Sequence, residues 1–170
     1  LNKVSHVTSL GMSNPTTIEL ARRLAEITPD GLEHTFFSGD GASSVEVALK
    51  MAFQYWHQRE NPQPQKNTYI ALGSAYHGDT LGSVSVGGVA RFHEMFKPLL
   101  FNVIRVDNPN TYRLPEGVSA SDATAYYLAE LESTLANHHQ HVAAMVIEPL
   151  VQGAAGLIMQ PEGYLRGIRE

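Results

Sequence analysis

The stretch FFSGDGASSVEVALKMAFQYW, residues 36–56, joins a short apolar run to a turn with two glycines and then to a long apolar helix pattern. Gly39 and Gly41 have no side-chain bulk, so the backbone there can approach a ligand closely. The N–H groups in the first turn of a helix lack partners within the helix, and the helix dipole favours an anion beside them. The stretch therefore predicts a strand, a phosphate-binding turn and a helix. A tight connection without a ligand remains the alternative, because GDGASS matches neither a dinucleotide nor a P-loop fingerprint.

Apolar strand patterns and amphipathic helix patterns alternate along the chain. The helix that begins at Pro15 has Asn14 as its predicted cap, and the helix of the opening stretch is apolar enough to predict burial between two layers. Ser121 is the predicted cap of a third helix. The alternation predicts an α/β fold, a mostly parallel sheet with helices on both faces. We expect strands at 34–37, 68–72, 101–106 and 142–149, and helices at 15–27, 43–59 and 121–137.

The composition narrows the class of function. The chain has 170 residues, a formal net charge of −5 and no cysteine. An acidic chain without a Lys/Arg cluster argues against nucleic acid or an anionic membrane as partner. The lack of cysteine excludes disulfides and permits a reducing compartment, so we expect a cytoplasmic protein. No apolar stretch approaches the roughly 20 residues of a membrane span.

The two ends of the chain predict that it is part of a longer protein. It begins at Leu1 without Met, and it ends within PEGYLRGIRE, which begins a helix at Pro161 but shows no stop signal. We therefore expect residues 1–170 to be a partial domain that is truncated at both ends.

Three polar segments follow strands of the predicted sheet. Residues 39–44 follow the first strand, 74–80 follow the second, and Glu148 ends the fourth. The carboxyl ends of parallel strands lie at one edge of a sheet, and ligands bind in the crevice outside that edge. We expect the three segments to converge there and form a site.

Each candidate side chain of that site also has a structural interpretation. Tyr76 can stack on a planar, cationic heterocycle, because the small residues around it leave its ring uncovered. His77 can bond or carry a proton, although a single His more often packs. Asp79 is a candidate cap for the next helix. Glu148 follows an apolar run, so it either faces a polar cleft or requires a partner.

His138, His139 and His141 form the one histidine cluster in the sequence. Their spacing spans a helix end and a loop, and no carboxylate is placed to complete a metal shell. We expect a solvated connection and no metal site.

Three motifs together resemble a known family. FFSGDGASSVEVALKMAFQYW, SAYHGDTLGSVSVGG and VIEPLVQGAAGL are similar, in order and spacing, to the class III (fold type I) pyridoxal-phosphate-dependent aminotransferases. YHGDT and VEVALKMAFQYW resemble the biotin-pathway branch most. The acetylornithine, ornithine and GABA branches more often have Phe-His-Gly-Arg-Thr at the second turn, and they remain the alternative.

The resemblance implies a cofactor, a reaction and site residues. Gly41 and Ala42 would hold the phosphate of pyridoxal 5′-phosphate through their amides, and Tyr76 would stack on the pyridine ring and border the substrate. His77 would shape that turn, and Glu148 would lie on the substrate side. In the biotin-pathway branch, the amino group would pass from S-adenosylmethionine to 8-amino-7-oxononanoate and give 7,8-diaminononanoate. The family also implies a homodimer.

Two departures from the family pattern affect these expectations. Ala42 stands where Ser or Thr is usual, and Ser43 or Ser44 could replace the missing hydroxyl. The Schiff-base lysine is expected beyond Glu170, and no lysine of the chain matches its position (Lys3, Lys50, Lys66 and Lys97). This chemistry needs that lysine, so we expect the chain to be inactive alone.

Two functions from other classes compete with an aminotransferase. A non-catalytic α/β domain would bind a phosphorylated ligand or a partner chain through the same turn. A nucleotide-binding domain is the third possibility, although the sequence lacks its fingerprint.

Overall fold

A computed structural model describes residues 7, 8 and 10–170 as two compact units, one that ends at Ser38 and one that spans Gly39–Glu170. The first contains one helix, α1 (Pro15–Ile27). The second contains, in chain order, α2 (Gly41–Gln58), β1 (Thr68–Leu72), α3 (Leu81–Val86), α4 (Ala90–His93), a 3₁₀ helix (Glu94–Leu99), β2 (Val103–Val106), α5 (Ala123–His138), β3 (Val142–Val146), β4 (Val151–Gln152), β5 (Ile158–Met159) and α6 (Tyr164–Arg169). Among these residues, no helix combines the length and the apolar character that crossing a membrane requires.

The first unit confirms the predicted helix and corrects the predicted strand. The side chain of Asn14 accepts a hydrogen bond from Thr17 N at 3.0 Å, so it caps α1 as expected. Residues 34–37 form no strand, and Phe36 is 70% exposed. A strand requires a paired neighbour for its backbone N–H and C=O groups, and no described strand pairs with this segment.

The sheet of the second unit is parallel, with the strand order β2-β1-β3. β1 lies opposite β2 with Tyr69 beside Val103 and opposite β3 with Ile70 beside Met145. All three strands therefore end at the same edge, beyond Leu72 of β1. The prediction for β1 is confirmed to the residue, whereas β2 and β3 are shorter than the apolar runs that predicted them.

Helices cover both faces of the sheet, as the sequence predicts. On one face, Ile70 and Leu72 pack with Leu131 of α5. On the other, Tyr69 and Ala71 pack with Leu49 of α2 and with Val86 of α3. Residues Tyr69–Leu72 are all buried, because alternate side chains of a central strand enter opposite cores.

Two details of the helices differ from the sequence predictions. α2 was expected to be buried between layers, but Leu49 is its one buried residue, and Met51 and Tyr55 are 58% and 57% exposed. α5 begins at Ala123 after Asp122, so Ser121 does not cap it. Instead, the Ser121 hydroxyl lies 2.8 Å from that of Ser119.

Candidate active site

The N-terminus of α2 is capped by a carboxylate. Asp40 Oδ1 accepts a hydrogen bond from Ser43 N at 2.7 Å, and Asp40 Oδ2 accepts one from Ser43 Oγ at 3.0 Å. These hydrogen bonds, the Ser43 amide foremost, hold the pKa of the Asp40 carboxyl below its usual value, and the Ala42 amide lowers it further. The carboxylate of Asp40 therefore lies at the same helix start where an anion would bind.

The hydroxyls of Ser43 and Ser44 are used within this turn. Ser43 Oγ bonds Asp40, and Ser44 Oγ donates to the carbonyl oxygen of Asp40 at 3.0 Å. Both hydroxyls thus support the helix start in this structure.

Space remains beside the two glycines of the turn. Apart from its chain neighbours and, for Gly41, its own helix, a Cβ atom built on Gly39 or on Gly41 would meet no atom within 4 Å. The backbone is therefore open on that side, which leaves space for a ligand beside the start of α2.

The turn after β1 presents Tyr76 in a defined orientation. Tyr76 Oη donates to Asp79 Oδ2 at 2.8 Å, and this bond raises the pKa of the tyrosine. The Tyr76 ring meets Phe92 edge-on, with ring centroids 6.4 Å apart. Asp79 does not cap α3 as the sequence suggested, because the N-cap position belongs to Thr80. Instead, the carboxylate of Asp79 holds the Tyr76 ring in place through its hydroxyl.

His77 lies beneath this turn and is half-buried. Burial lowers its pKa, and the negative charge of Glu148 opposes that shift. Its Nε2 atom is buried without a hydrogen-bond partner. The neutral imidazole can therefore support the turn by packing and retains one ring nitrogen that can bond a polar group.

Glu148 joins two backbone segments. Oε1 accepts from Tyr76 N at 2.8 Å, and Oε2 accepts from Gly153 N at 2.8 Å. The carboxylate is half-buried, so these amides are the partners that its charge requires.

The structure brings the three segments together. A Cβ atom on Gly78 would lie 2.5 Å from Cβ of Ala42, so the turn after β1 presses directly on the start of α2. Ser83 Oγ donates to Ala42 O at 3.3 Å across the same contact. Gly41 and Ala42 therefore lie beside the turn that carries Tyr76, and Glu148 holds the backbone of that turn at the carboxyl edge of the sheet.

The profile of the aminotransferase class-III family matches residues 1–170. The chain belongs to the class III aminotransferases. Adenosylmethionine-8-amino-7-oxononanoate aminotransferase of Geobacter sulfurreducens is 50% identical over 171 residues, which cover 100% of this chain and 37% of that relative.

Solved structures agree with this membership. Adenosylmethionine-8-amino-7-oxononanoate aminotransferase from Methanocaldococcus jannaschii matches 98% of this chain and 35% of its own, with 38% identity and a TM-score of 0.84. An amine transaminase from an uncultivated Pseudomonas species, solved with PLP bound, matches 99% of this chain and 38% of its own, with 33% identity and a TM-score of 0.86. The α/β fold with a parallel sheet is thus that of class III transaminases, and the chain spans little more than a third of their length.

In this class III aminotransferase segment, the described lysines either bond to groups away from the Tyr76 turn or are exposed. Lys66 Nζ donates to Val142 O at 3.3 Å and lies over the ring of Trp56, while Lys97 pairs with Glu94 at 2.8 Å. Lys50 is exposed on α2. Lys3 falls outside the described residues.

The histidine cluster is part of the surface. His138, His139 and His141 are exposed, and the described residues contain no group of three His, Cys, Asp or Glu side chains that could hold a metal ion.

Sequence reasoning missed Glu46, which connects the two glycine-containing segments. Glu46 Oε1 accepts from Thr80 Oγ1 at 2.6 Å and from Gly82 N at 2.7 Å. Its partners lie more than 30 residues along the chain, so the local pattern VEVALK shows a helix and nothing of this role. The signal available in the sequence is Gly82 itself, a glycine in the first turn of a helix where glycine is otherwise unfavourable.

Proposed function

We propose that this chain is part of the cofactor-binding, or large, domain of a pyridoxal-phosphate-dependent aminotransferase. In the biotin pathway, that enzyme transfers an amino group from S-adenosylmethionine to 8-amino-7-oxononanoate. One observation carries the proposal: the contact of Ala42 with Gly78 joins an anion-binding helix start to the turn that presents Tyr76. Family membership and the relatives' names support the reaction.

The residues present fit the cofactor. The start of α2 is open at Gly41 on the side where a Cβ atom would lie, and the positive end of the helix stabilises a phosphate there. Tyr76 offers an aromatic face for the pyridine ring, and its hydroxyl is held by Asp79. Pyridoxal phosphate, when bound, supplies the electron sink on which transamination depends.

The remaining site residues have supporting roles in this proposal. His77 packs under the Tyr76 turn as a neutral group, because burial lowers its pKa. Glu148 holds the amides of Tyr76 and Gly153, and its role on the substrate side of the ring belongs to this proposal. Both residues support the turn that carries Tyr76, and neither needs to exchange a proton with the substrate.

The motif YHGDT and the names of the relatives favour the biotin-pathway substrates over those of other branches. Fold similarity alone does not separate them, because the amine transaminase matches with a TM-score of 0.86 and the biotin-pathway enzyme with 0.84. An acetylornithine, ornithine or GABA type of specificity is the second candidate, and a direct comparison of amino donors distinguishes the two.

We infer that the lysine that binds the cofactor lies beyond Glu170, and that residues 1–170 alone do not transaminate. The described lysines support this inference, since Lys66 and Lys97 are engaged elsewhere and Lys50 is exposed on α2. A cytoplasmic location belongs to the same proposal, because both substrates are intracellular metabolites.

We also infer that the complete enzyme is a homodimer. Large apolar side chains of the segment after α3 are exposed, among them Met95 at 85% and Leu99 at 64%, and so are Met51 and Tyr55 of α2. A soluble monomer rarely leaves such a surface uncovered, and a second copy is the expected partner. Sedimentation of the complete enzyme tests this: a monomer would mean that the rest of the same chain covers these residues.

The proposed function is tested with the complete enzyme. We expect pyridoxal phosphate to produce a lysine-dependent absorbance band, and 7,8-diaminononanoate to form when S-adenosylmethionine and 8-amino-7-oxononanoate are added. Turnover of ornithine or GABA instead would assign the chain to another branch. Phosphate binding without the absorbance band would support the non-catalytic binding domain. Stabilisation by ATP, with none by pyridoxal phosphate, would support a nucleotide-binding domain.

A further inference from the structure

Glu46 lies on α2, five residues after Gly41, and its carboxylate caps another helix. Oε1 accepts three hydrogen bonds, from Thr80 Oγ1 at 2.6 Å, Gly82 N at 2.7 Å and Ser83 N at 3.3 Å. The N-cap residue of α3, Thr80, makes no side-chain capping bond of its own. The cap of α3 is therefore supplied by α2, across the junction between the two segments.

The Glu46 carboxylate packs closely against the backbone of α3 at Gly82. A Cβ atom on Gly82 would lie 2.3 Å from Oε2 and 2.6 Å from Oε1 of Glu46. Residues 82–86 of α3 are all buried, so the helix cannot move outward into solvent without exposing this surface. Glycine at position 82 is thus what allows the carboxylate to reach the backbone of α3.

This junction separates the two parts of the proposed cofactor site. Gly41 and Ala42 begin α2, and the turn with Tyr76 leads directly into α3. Ala42 touches Gly78 and accepts a hydrogen bond from Ser83, so the start of α2 is held against both the Tyr76 turn and α3. A change in the position of α3 relative to α2 would change the distance between the phosphate amides and the aromatic ring.

We propose that Glu46 is a positioning residue that sets the spacing between the phosphate-binding amides of Gly41 and Ala42 and the ring of Tyr76. This inference rests on the proposed function. The phosphate and the ring of pyridoxal phosphate are covalently linked, so both are bound well only when their two sites have the correct spacing. A ligand that uses one site alone does not depend on that spacing.

The test compares a two-site ligand with one-site ligands in the complete enzyme. Equilibrium dissociation constants are measured for pyridoxal phosphate, for pyridoxal without phosphate and for inorganic phosphate. In Glu46→Ala, we expect the affinity for pyridoxal phosphate to fall about 10-fold or more, because three hydrogen bonds to a charged group, two of them partly buried, are lost. The affinities for pyridoxal and for inorganic phosphate should change less than about 2-fold, which is within ordinary surface-mutation effects.

Two further variants keep the test decisive if Glu46→Ala folds poorly. Gly82→Ala places a methyl group against the carboxylate and should reproduce the selective loss. Glu46→Gln keeps the length and one acceptor oxygen, so it should recover most of the affinity for pyridoxal phosphate. Glu132→Ala, at an exposed glutamate of α5, is the matched control and should bind all three ligands as the wild type does.

The outcomes separate the inference from the proposed function. Unchanged affinity for pyridoxal phosphate in folded Glu46→Ala and Gly82→Ala would overturn the inference and leave the function intact. Equal losses for all three ligands would also overturn it, since they indicate a general structural role. A wild-type enzyme that binds no pyridoxal phosphate would refute the proposed function, and the inference with it.

Discussion

Tyr76 N donates a 2.8 Å hydrogen bond to Glu148 Oε1, so one carboxylate joins the turn after β1 to the chain beyond β3. Gly153 N occupies the other oxygen of Glu148 at the same distance. The position of the Tyr76 backbone thus depends on a residue 72 positions later. The site is a property of the sheet edge and not of either loop alone.

Replacement of Glu148 tests this link. Glu148→Ala leaves two backbone amides without their charged acceptor and should reduce the free energy of unfolding by about 2 kcal/mol. Urea denaturation of the cofactor-free protein measures the change. Glu116→Ala removes an exposed carboxylate and should change stability by less than about 0.5 kcal/mol. Equal stability of Glu148→Ala and wild type would show that water replaces the carboxylate at both amides.

Gly41 allows a separation of folding from ligand binding. Apart from its chain neighbours and its own helix, a Cβ atom at this position meets no atom within 4 Å, so Gly41→Val should fold as the wild type does. The added side chain fills the space beside the amides and should lower the affinity for pyridoxal phosphate by about 10-fold or more, because a charge-assisted contact is lost. Fluorescence titration measures the affinity.

Ala48→Val is the control for this change, since it adds a β-branched side chain at an exposed position of the same helix. It should bind the cofactor normally. A normal titration in Gly41→Val itself would mean that the phosphate binds away from the start of α2.

A strand of the sheet could be predicted where its local sequence alone is sufficient to identify it. β1 has a continuous apolar run that enters two cores, and the sequence gives its limits correctly. Residues 34–37 contain two phenylalanines, which also predict a buried strand, yet they form no strand. Apolar character indicates that a segment prefers burial, but a strand also needs a neighbour, and the identity of that neighbour is not a local property.

The site was predictable in its outline and not in its contacts. Parallel topology indicates that the three segments share one edge, which is how Tyr76 and Glu148 could be named together. The roles of Asp79 and Glu46 depend on which oxygen meets which donor. Such pairings are set by packing over a few ångströms, and neither the capping rules nor the helical period specifies them.

The hydroxyl and the ring of Tyr76 can be tested separately. Tyr76→Phe loses the bond to Asp79 but keeps the aromatic face, so its affinity for pyridoxal phosphate should stay within about 2-fold of wild type, because that bond is exposed. Tyr76→Ala should weaken binding by roughly 2- to 10-fold through the loss of stacking. Tyr112→Ala, at a tyrosine that is 89% exposed, is the control. Equal effects of the Phe and Ala variants at position 76 would assign the role to the hydroxyl.

Leu150 stores backbone strain next to Glu148. Its φ angle is 67°, in the left-handed region, and its side chain is 63% exposed. The left-handed conformation costs a non-glycine residue about 1–2 kcal/mol. Leu150→Gly removes this cost but increases the entropy of the unfolded chain, so we expect a net stabilisation of up to about 1 kcal/mol. Calorimetry measures the melting temperature, and Leu165→Gly, within helix α6, should be destabilising. A lower melting temperature for Leu150→Gly would show that the side chain contributes more than the strain costs.

The charge of Asp40 should make stability depend on pH. Its pKa is lowered in the folded state, chiefly by the Ser43 amide. The ionised carboxylate therefore stabilises the folded protein above the ordinary pKa of Asp, about 4, and this contribution is lost as the pH falls through the lowered folded-state pKa.

Asp40→Asn keeps a side-chain oxygen for capping but removes the charge. Urea midpoints at pH 7 should show the wild type to be more stable than Asp40→Asn, and the difference should be smaller at pH 3. Asp30→Asn, at an exposed aspartate outside any helix, should show no such difference at either pH. A difference between wild type and Asp40→Asn that persists unchanged at pH 3 would show that the amide fails as a cap for geometric reasons and that the charge is not the cause.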